Sequence, residues 1–136
     1  MVAAQKIVAI VSEELDVGQG ANVVGLLGIS LGHHISGIVG PDVQDAEGLV
    51  HAGMSTLGLP VLSADSAMLS KVHAAAVANA LVRVFDVTDA ATRSRDYAAY
   101  TTRLQEAGKR WRTLGVAIAG PRNEVDQLTG HLRLLR

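Results

Sequence analysis

The apolar positions of this chain fall into short runs punctuated by glycine and proline, and the spacing inside each run predicts an element. Ile7 to Val11 is continuously apolar and mostly β-branched, as expected of a strand covered on both faces. Ser12 to Asp16 is polar and leaves the sheet, and Gly18 and Gly20 mark a tight turn. A helix follows from about Gly20 to Leu31, with Val23, Val24, Leu27 and Leu31 as its core stripe. A second stripe of Ala21, Gly25, Gly28 and Gly32 recurs at helical spacing. An interior glycine costs a helix about 1 kcal/mol relative to alanine, so something must offset Gly25 and Gly28. Either another backbone packs very close, which is the favoured expectation, or a ligand needs the volume.

Further along, Ile38-Val39 and Leu49-Val50 are predicted to form a short hairpin around PDVQDAEG. Leu59 to Leu62 reads as a strand, with Pro60 near its start where a missing N–H does least harm. Ser63 or Asp65 caps a helix from about Ser66 to Asn79, carrying Leu69, Val72 and Val77 and a surface histidine, His73. Leu81 to Val87 is another strand, ending among Asp86, Thr88 and Asp89. Carboxylates and hydroxyls at the end of an α/β strand often line ligand sites, and they also serve as ordinary helix caps. Asp96 to Ala107 fits a helix closed by Gly108, and Leu114 to Ala119 fits a strand turned by Gly120-Pro121. Asn123 caps a last short helix, NEVDQLTG, and His131 to Leu135 alternates as a strand or an extended tail. Alternation of strands and helices predicts an α/β fold, a three-layer α/β/α sandwich around a mixed sheet of about four strands.

Composition narrows the chemistry. The 136 residues suit one domain, 1–136, and contain no cysteine, which excludes disulfides, thiol catalysis and a Cys-based zinc site. The apolar runs fall short of the roughly 20 residues of a membrane span. The opening MVAAQK lacks the basic-then-apolar pattern of a signal peptide, so a cytoplasmic protein without membrane contact is expected. Before Arg83 there are two Lys/Arg against seven Asp/Glu, a net −5; from Arg83 onward there are ten against six, a net +4. Such asymmetry suits ordinary solvated faces before it suits a polyanion. Aromatics make up only 3%, poor material for stacking single-stranded bases. Asp42, Asp45, Glu47 and His51, with His33 and His34, match no ligand spacing, so neither a metal nor a cofactor is expected.

The two ends carry a resemblance. Leu114-Gly115, Gly120-Pro121, Asp126 and the run Leu128-Thr129-Gly130-His131-Leu132-Arg133-Leu134 resemble the closing strand, turn and helix of peptidyl-tRNA hydrolase II. Lys6-Ile7-Val8, Leu15 and Gly18-Gln19-Gly20 resemble that family's first strand and the turn into its first helix. The chain is similar to small bacterial relatives of that hydrolase, and the resemblance implies its fold and a homodimer. The family's helix lysine, glutamine and histidine fall on Ala21, Gly25 and Gly28, so those polar groups are absent. Its loop after the third strand falls on Asp89 to Arg93, which makes Asp89 and Thr92 the candidate catalytic pair, with Asp86 the alternative carboxylate. Ester hydrolysis needs a positioned water, a carboxylate and oxyanion stabilisation. The amides of Gln19 to Asn22 are the candidates for the last. The expectation is therefore a domain that binds a small ligand or partner without the usual hydrolase residues. Its ligand would be held by Gln19, Gly20, Asn22, Gly25, Gly28 and Asp86, in a groove between the glycine face and the Asp86 to Thr92 loop. The alternative is a hydrolase of peptidyl-tRNA or a related ester with rearranged residues, for which Arg93, Arg95, Lys109, Arg110 and Arg112 would meet tRNA phosphates.

Overall fold

The computed structural model describes residues 4–136; residues 1–3, the start of the stretch read above for a signal peptide, lie outside that range. The central strand is β1 (Lys6–Ser12), and its alternation feeds two cores. Ile7 and Ala9 enter one cluster, Val8 and Ile10 the other. Around it lie β4 (Val61–Ala64), β5 (Arg83–Thr88), β6 (Thr113–Gly120) and β7 (Arg133–Leu134), in the order β5-β6-β1-β4-β7. Only β1 and β4 are parallel, with Ala9 opposite Val61; the other pairings are antiparallel. The sheet thus has five strands where about four were expected. The extra edge is the C-terminal tail, which pairs Leu62 with Leu134.

Helix α1 (Val17–His34) begins earlier than its apolar stripe suggests. The Asp16 carboxylate accepts the Gln19 N–H at 2.8 Å while the Gln19 side chain accepts the Asp16 N–H at 3.2 Å. This reciprocal capping box absorbs Gly18 into the first turn. Val23, Leu27 and Leu31 then pack on the sheet against Ile7, Val87, Leu114 and Ala117. The approach is close because Gly115 has no side chain: a Cβ there would stand 2.4 Å from Val23 Cγ1. On the other face, α2 (Ser66–Val77) and α5 (Arg122–Thr129) bury Leu69, Val72, Ala76 and Val125 over Val8, Ile10, Val116 and Ile118. Full burial of each of these Val, Leu and Ile side chains stabilises the fold by about 1.5–3 kcal/mol. Asp65 is the cap of α2, accepting the Met68 N–H at 2.8 Å. Helices on both faces of a mixed sheet make the chain an α/β protein. No helix among the described residues is long and apolar enough to cross a membrane.

The hairpin differs in register from the expected one. Its strands are β2 (Val43–Gln44) and β3 (Val50–His51), with Val43 opposite His51. Ile38 is instead a buried anchor, and Val39 only bridges Ser55. The reason is Asp45, whose carboxylate accepts the N–H groups of Glu47 and Leu49 at 2.9 and 3.0 Å. Gly48, at φ +89°, completes that turn. Residues 41–52 are all exposed, so the hairpin stands off the domain as an arm. Beyond β5 come a single turn, α3 (Asp89–Thr92), and α4 (Tyr97–Leu104), which is shorter than the expected helix Asp96 to Ala107 and has Asp96 as its cap.

Candidate functional site

Because β1 and β4 are parallel neighbours, the chain leaves both at the same end of the sheet. It leaves β1 for α1 on one face and β4 for α2 on the other. Helices that depart in opposite directions from adjacent parallel strands open a crevice at the strands' carboxyl ends, where α/β proteins bind ligands. A cavity of about 930 Å³ lies there. Val11 and Ser12 end β1 at its floor, and Leu15, Val17 and Gly20 line the helix side. Ser63 and the tail Arg133 to Arg136 line the other side. Two features give the crevice chemistry. The apolar lining from Val11, Leu15, Val17, Leu134 and Leu135 suits a hydrocarbon body. Charges of both signs also line it, Glu13 and Asp16 against Arg133 and Arg136, and none of the four forms an ion pair among the described residues.

The residues expected to form one site are dispersed. Gly20 lines the crevice with the turn that carries Gln19. The Gln19 amide is taken by the Asp16 carboxylate and the Gly20 amide by the Asp16 carbonyl at 2.9 Å. The expected anion cradle at these amides is therefore closed by the protein's own cap. Asn22 and Gly25 are exposed on the outer side of α1, and Gly28 is half-buried. A Cβ at Gly25 or Gly28 would meet no atom within 4 Å. The favoured expectation for these glycines, that another backbone packs very close, is not met among the described residues of this chain.

Asp89 sits at the end of β5 as a staple. Its Oδ1 accepts the Arg112 N–H at 2.9 Å, its own N–H donates to the Arg112 carbonyl at 2.9 Å, and Oδ2 lies 3.8 Å from Arg93. The Thr92 hydroxyl donates to the Asp89 carbonyl at 3.2 Å. The pair is adjacent as expected, but its polar atoms are engaged by backbone, Asp89 with the segment that joins α4 to β6 and Thr92 with α3 itself. Asp86 points the other way, toward α2, where its carboxylate lies 3.1 Å from His73 Nε2. His73 is accordingly half-buried rather than a free surface histidine. Burial, and then the charge of Asp86, push the Tyr100 hydroxyl above its ordinary value. Asp86 and the glycine stripe therefore lie on opposite faces of the sheet.

A second cavity, about 570 Å³, lies at the opposite end of the sheet among His34, Ile35, Leu81, Arg83 and Gly120. There His34 stacks on Phe85 at 5.5 Å between ring centroids, and Arg83 donates to the His34 carbonyl at 3.1 Å. It lies at the start of β5 and the end of α1, away from the parallel strand ends. Sequence reasoning missed both cavities. The amides of Gln19 to Asn22, expected to hold an anion, belong to the first turns of the helix that lines the first cavity.

Among solved structures, the chain is similar to a protein of unknown function, Atu0240 from Agrobacterium tumefaciens strain C58. The two superpose with a TM-score of 0.87 at 22% identity over 100% of both chains, a likeness of fold. No curated protein matches. A family model described as a protein of unknown function, DUF2000, matches residues 5–136. The chain therefore belongs to the DUF2000 family.

Proposed function

We propose that this chain is a binding domain, built on a peptidyl-tRNA hydrolase II-like scaffold without that family's catalytic side chains, and that it holds a small ligand in the crevice between β1 and β4. One observation carries the reading: a cavity of about 930 Å³ stands at the carboxyl ends of the parallel pair β1 and β4, lined by charges of both signs that form no ion pair among the described residues, over an apolar floor. That lining fits a small zwitterion with an apolar body, its carboxylate toward Arg133 and its amine toward Glu13. Free apolar amino acids are the first probes. Ligand at 100 times its dissociation constant stabilises the folded state by about 2.7 kcal/mol, which a thermal shift resolves. The shift is expected with leucine, to fall with N-acetyl-leucine, and to vanish in Val17→Trp. Val17 is 91% exposed at the crevice wall, so tryptophan there obstructs the site without entering the core. An equal shift in Val17→Trp would refute the site.

The alternative reading is a hydrolase of peptidyl-tRNA or a related ester. Its support is the position of Asp89, half-buried at the end of β5 beside Thr92. Against it, both Asp89 oxygens have partners and Gly25 and Gly28 bring no donor to the helix face. Release of peptide from peptidyl-tRNA by wild type, lost in Asp89→Ala, would establish this reading over the first.

A further inference from the structure

The cavity at the far end of the sheet has a chemistry of its own. Alternation along β5 puts Arg83, Phe85 and Val87 on the α1 face. Val87 is buried and Phe85 half-buried under the helix. The helix ends at His34, and Arg83 stands at that end, its Nη1 donating to the His34 carbonyl at 3.1 Å. Past the helix end the lining is small or apolar. Ala4, Ala80 and Ala119 face the space, and Ile35 and Val82 are buried in its wall. Gly120 lets the Leu81-Val82 segment cross the end of β6, for a Cβ there would stand 2.9 Å from Val82 Cγ1 and 3.1 Å from the Leu81 carbonyl oxygen. Leu81 lines the cavity while 61% exposed, an apolar side chain that the fold leaves in water.

We propose that this cavity is a second binding site, for a monocarboxylate with a hydrocarbon tail, its carboxylate on Arg83 and its tail among Ala4, Ile35, Leu81 and Ala119. Three observations select that class. First, about 570 Å³ lies within the roughly 300–1,000 Å³ of small-molecule sites. Second, the lining is mainly aliphatic, which suits a hydrocarbon tail. Third, Arg83 brings the one formal charge among the described lining residues at neutral pH, and it forms no ion pair among the described residues. Its guanidinium is held in place, by the His34 carbonyl and by the Phe85 ring, whose centroid lies 5.3 Å away and on which His34 stacks as well. The bond to the His34 carbonyl offsets the partial negative charge at the end of α1. The remaining guanidinium N–H groups suit a planar carboxylate. One guanidinium balances one negative charge, which favours a carboxylate over a phosphate monoester, whose charge at neutral pH approaches about −2.

The site shares no lining residue with the crevice between β1 and β4, so the two readings stand or fall separately. The test is isothermal titration of the full chain with decanoate, octanoate and decanol. Decanoate is expected to bind saturably at one site. Octanoate, two methylenes shorter, should bind on the order of tenfold more weakly. Decanol keeps the tail but lacks the charge, and should also bind about tenfold more weakly. Arg83→Gln should bring decanoate down to the affinity of decanol and leave decanol unchanged, and Arg83→Lys should restore part of the difference. Ala80→Trp should remove binding of both by filling the cavity. Arg83 and Ala80 are both exposed, so these variants should fold, which circular dichroism and thermal unfolding verify. Val17→Trp, which obstructs the crevice, should leave decanoate binding as in wild type. Three results overturn the proposal: no saturable binding at millimolar decanoate, a decanoate affinity that Arg83→Gln leaves intact, or binding lost in Val17→Trp and kept in Ala80→Trp, which would put the carboxylate in the crevice.

Discussion

The same substitution should have opposite signs at two places in this chain. Gly25 and Gly28 lie inside α1 with no atom within 4 Å of an added Cβ. Alanine there removes backbone freedom from the unfolded chain and improves helix propensity, worth about 1 kcal/mol at each position. The double variant Gly25→Ala/Gly28→Ala should gain about 2 kcal/mol, and its melting temperature should rise by about 6–8 °C for a domain of this size. At Gly115 a Cβ would stand 2.4 Å from Val23 Cγ1 and 3.2 Å from the Ile10 carbonyl oxygen. Gly115→Ala must push α1 off the sheet and should cost about 1–3 kcal/mol. Urea unfolding reads both values directly. A loss of stability in the double alanine variant would refute the reasoning, because it would mean that some part of the fold covers that helix face. A gain would mean that the chain carries two costly glycines for something outside its own fold.

Asp89 tests the assignment of a staple against that of a catalytic base. Asp89→Ala should lose about 1 kcal/mol by leaving the Arg112 N–H without its acceptor, whereas Asp89→Asn keeps an acceptor and should stay within about 0.5 kcal/mol of wild type; equal losses in the two would show that the charge, not the hydrogen bond, matters. Asp45 tests the arm. Its bonds to His51 and to the Leu49 and Glu47 amides hold its carboxyl below the ordinary value of 3.8. A depressed carboxyl contributes stability that is complete above its unfolded value and is lost as pH falls through the folded one. The Leu49 and Glu47 amide resonances should therefore titrate together at a midpoint below 3.8 while those of α1 stay fixed, and a midpoint at or above that value would mean that the turn is not closed in solution.

What could be read in the sequence was whatever rests on local periodicity. The core stripe Val23, Leu27 and Leu31, the cap Asp65, and the buried strands around Ile10 and Val116 all appear where the pattern puts them. The arm was misplaced because a side chain, Asp45, sets its register, and alternation is too weak over two-residue strands to reveal it. The tail was ambiguous for the same reason, since β7 is defined by pairing with β4 and not by propensity. The crevice could not be found at all, because Val11, Ser63 and Arg133 are distant in sequence and meet only through the parallel pairing of β1 with β4. The glycines of α1 were conspicuous, but the sequence cannot say whether a backbone lies over them. Among the described residues none does.

The claim that most needs testing is that ligand is held at the parallel strand ends and not on the helix face or at Asp89. Titrating isotopically labelled protein with leucine and following backbone amide resonances places the contact residue by residue. The account predicts saturable shifts concentrated at Ser12, Glu13, Ser63 and Arg133. Shifts gathered instead at Gly25, Gly28 and Asp89, or no shifts at millimolar leucine or any other apolar amino acid, would contradict it.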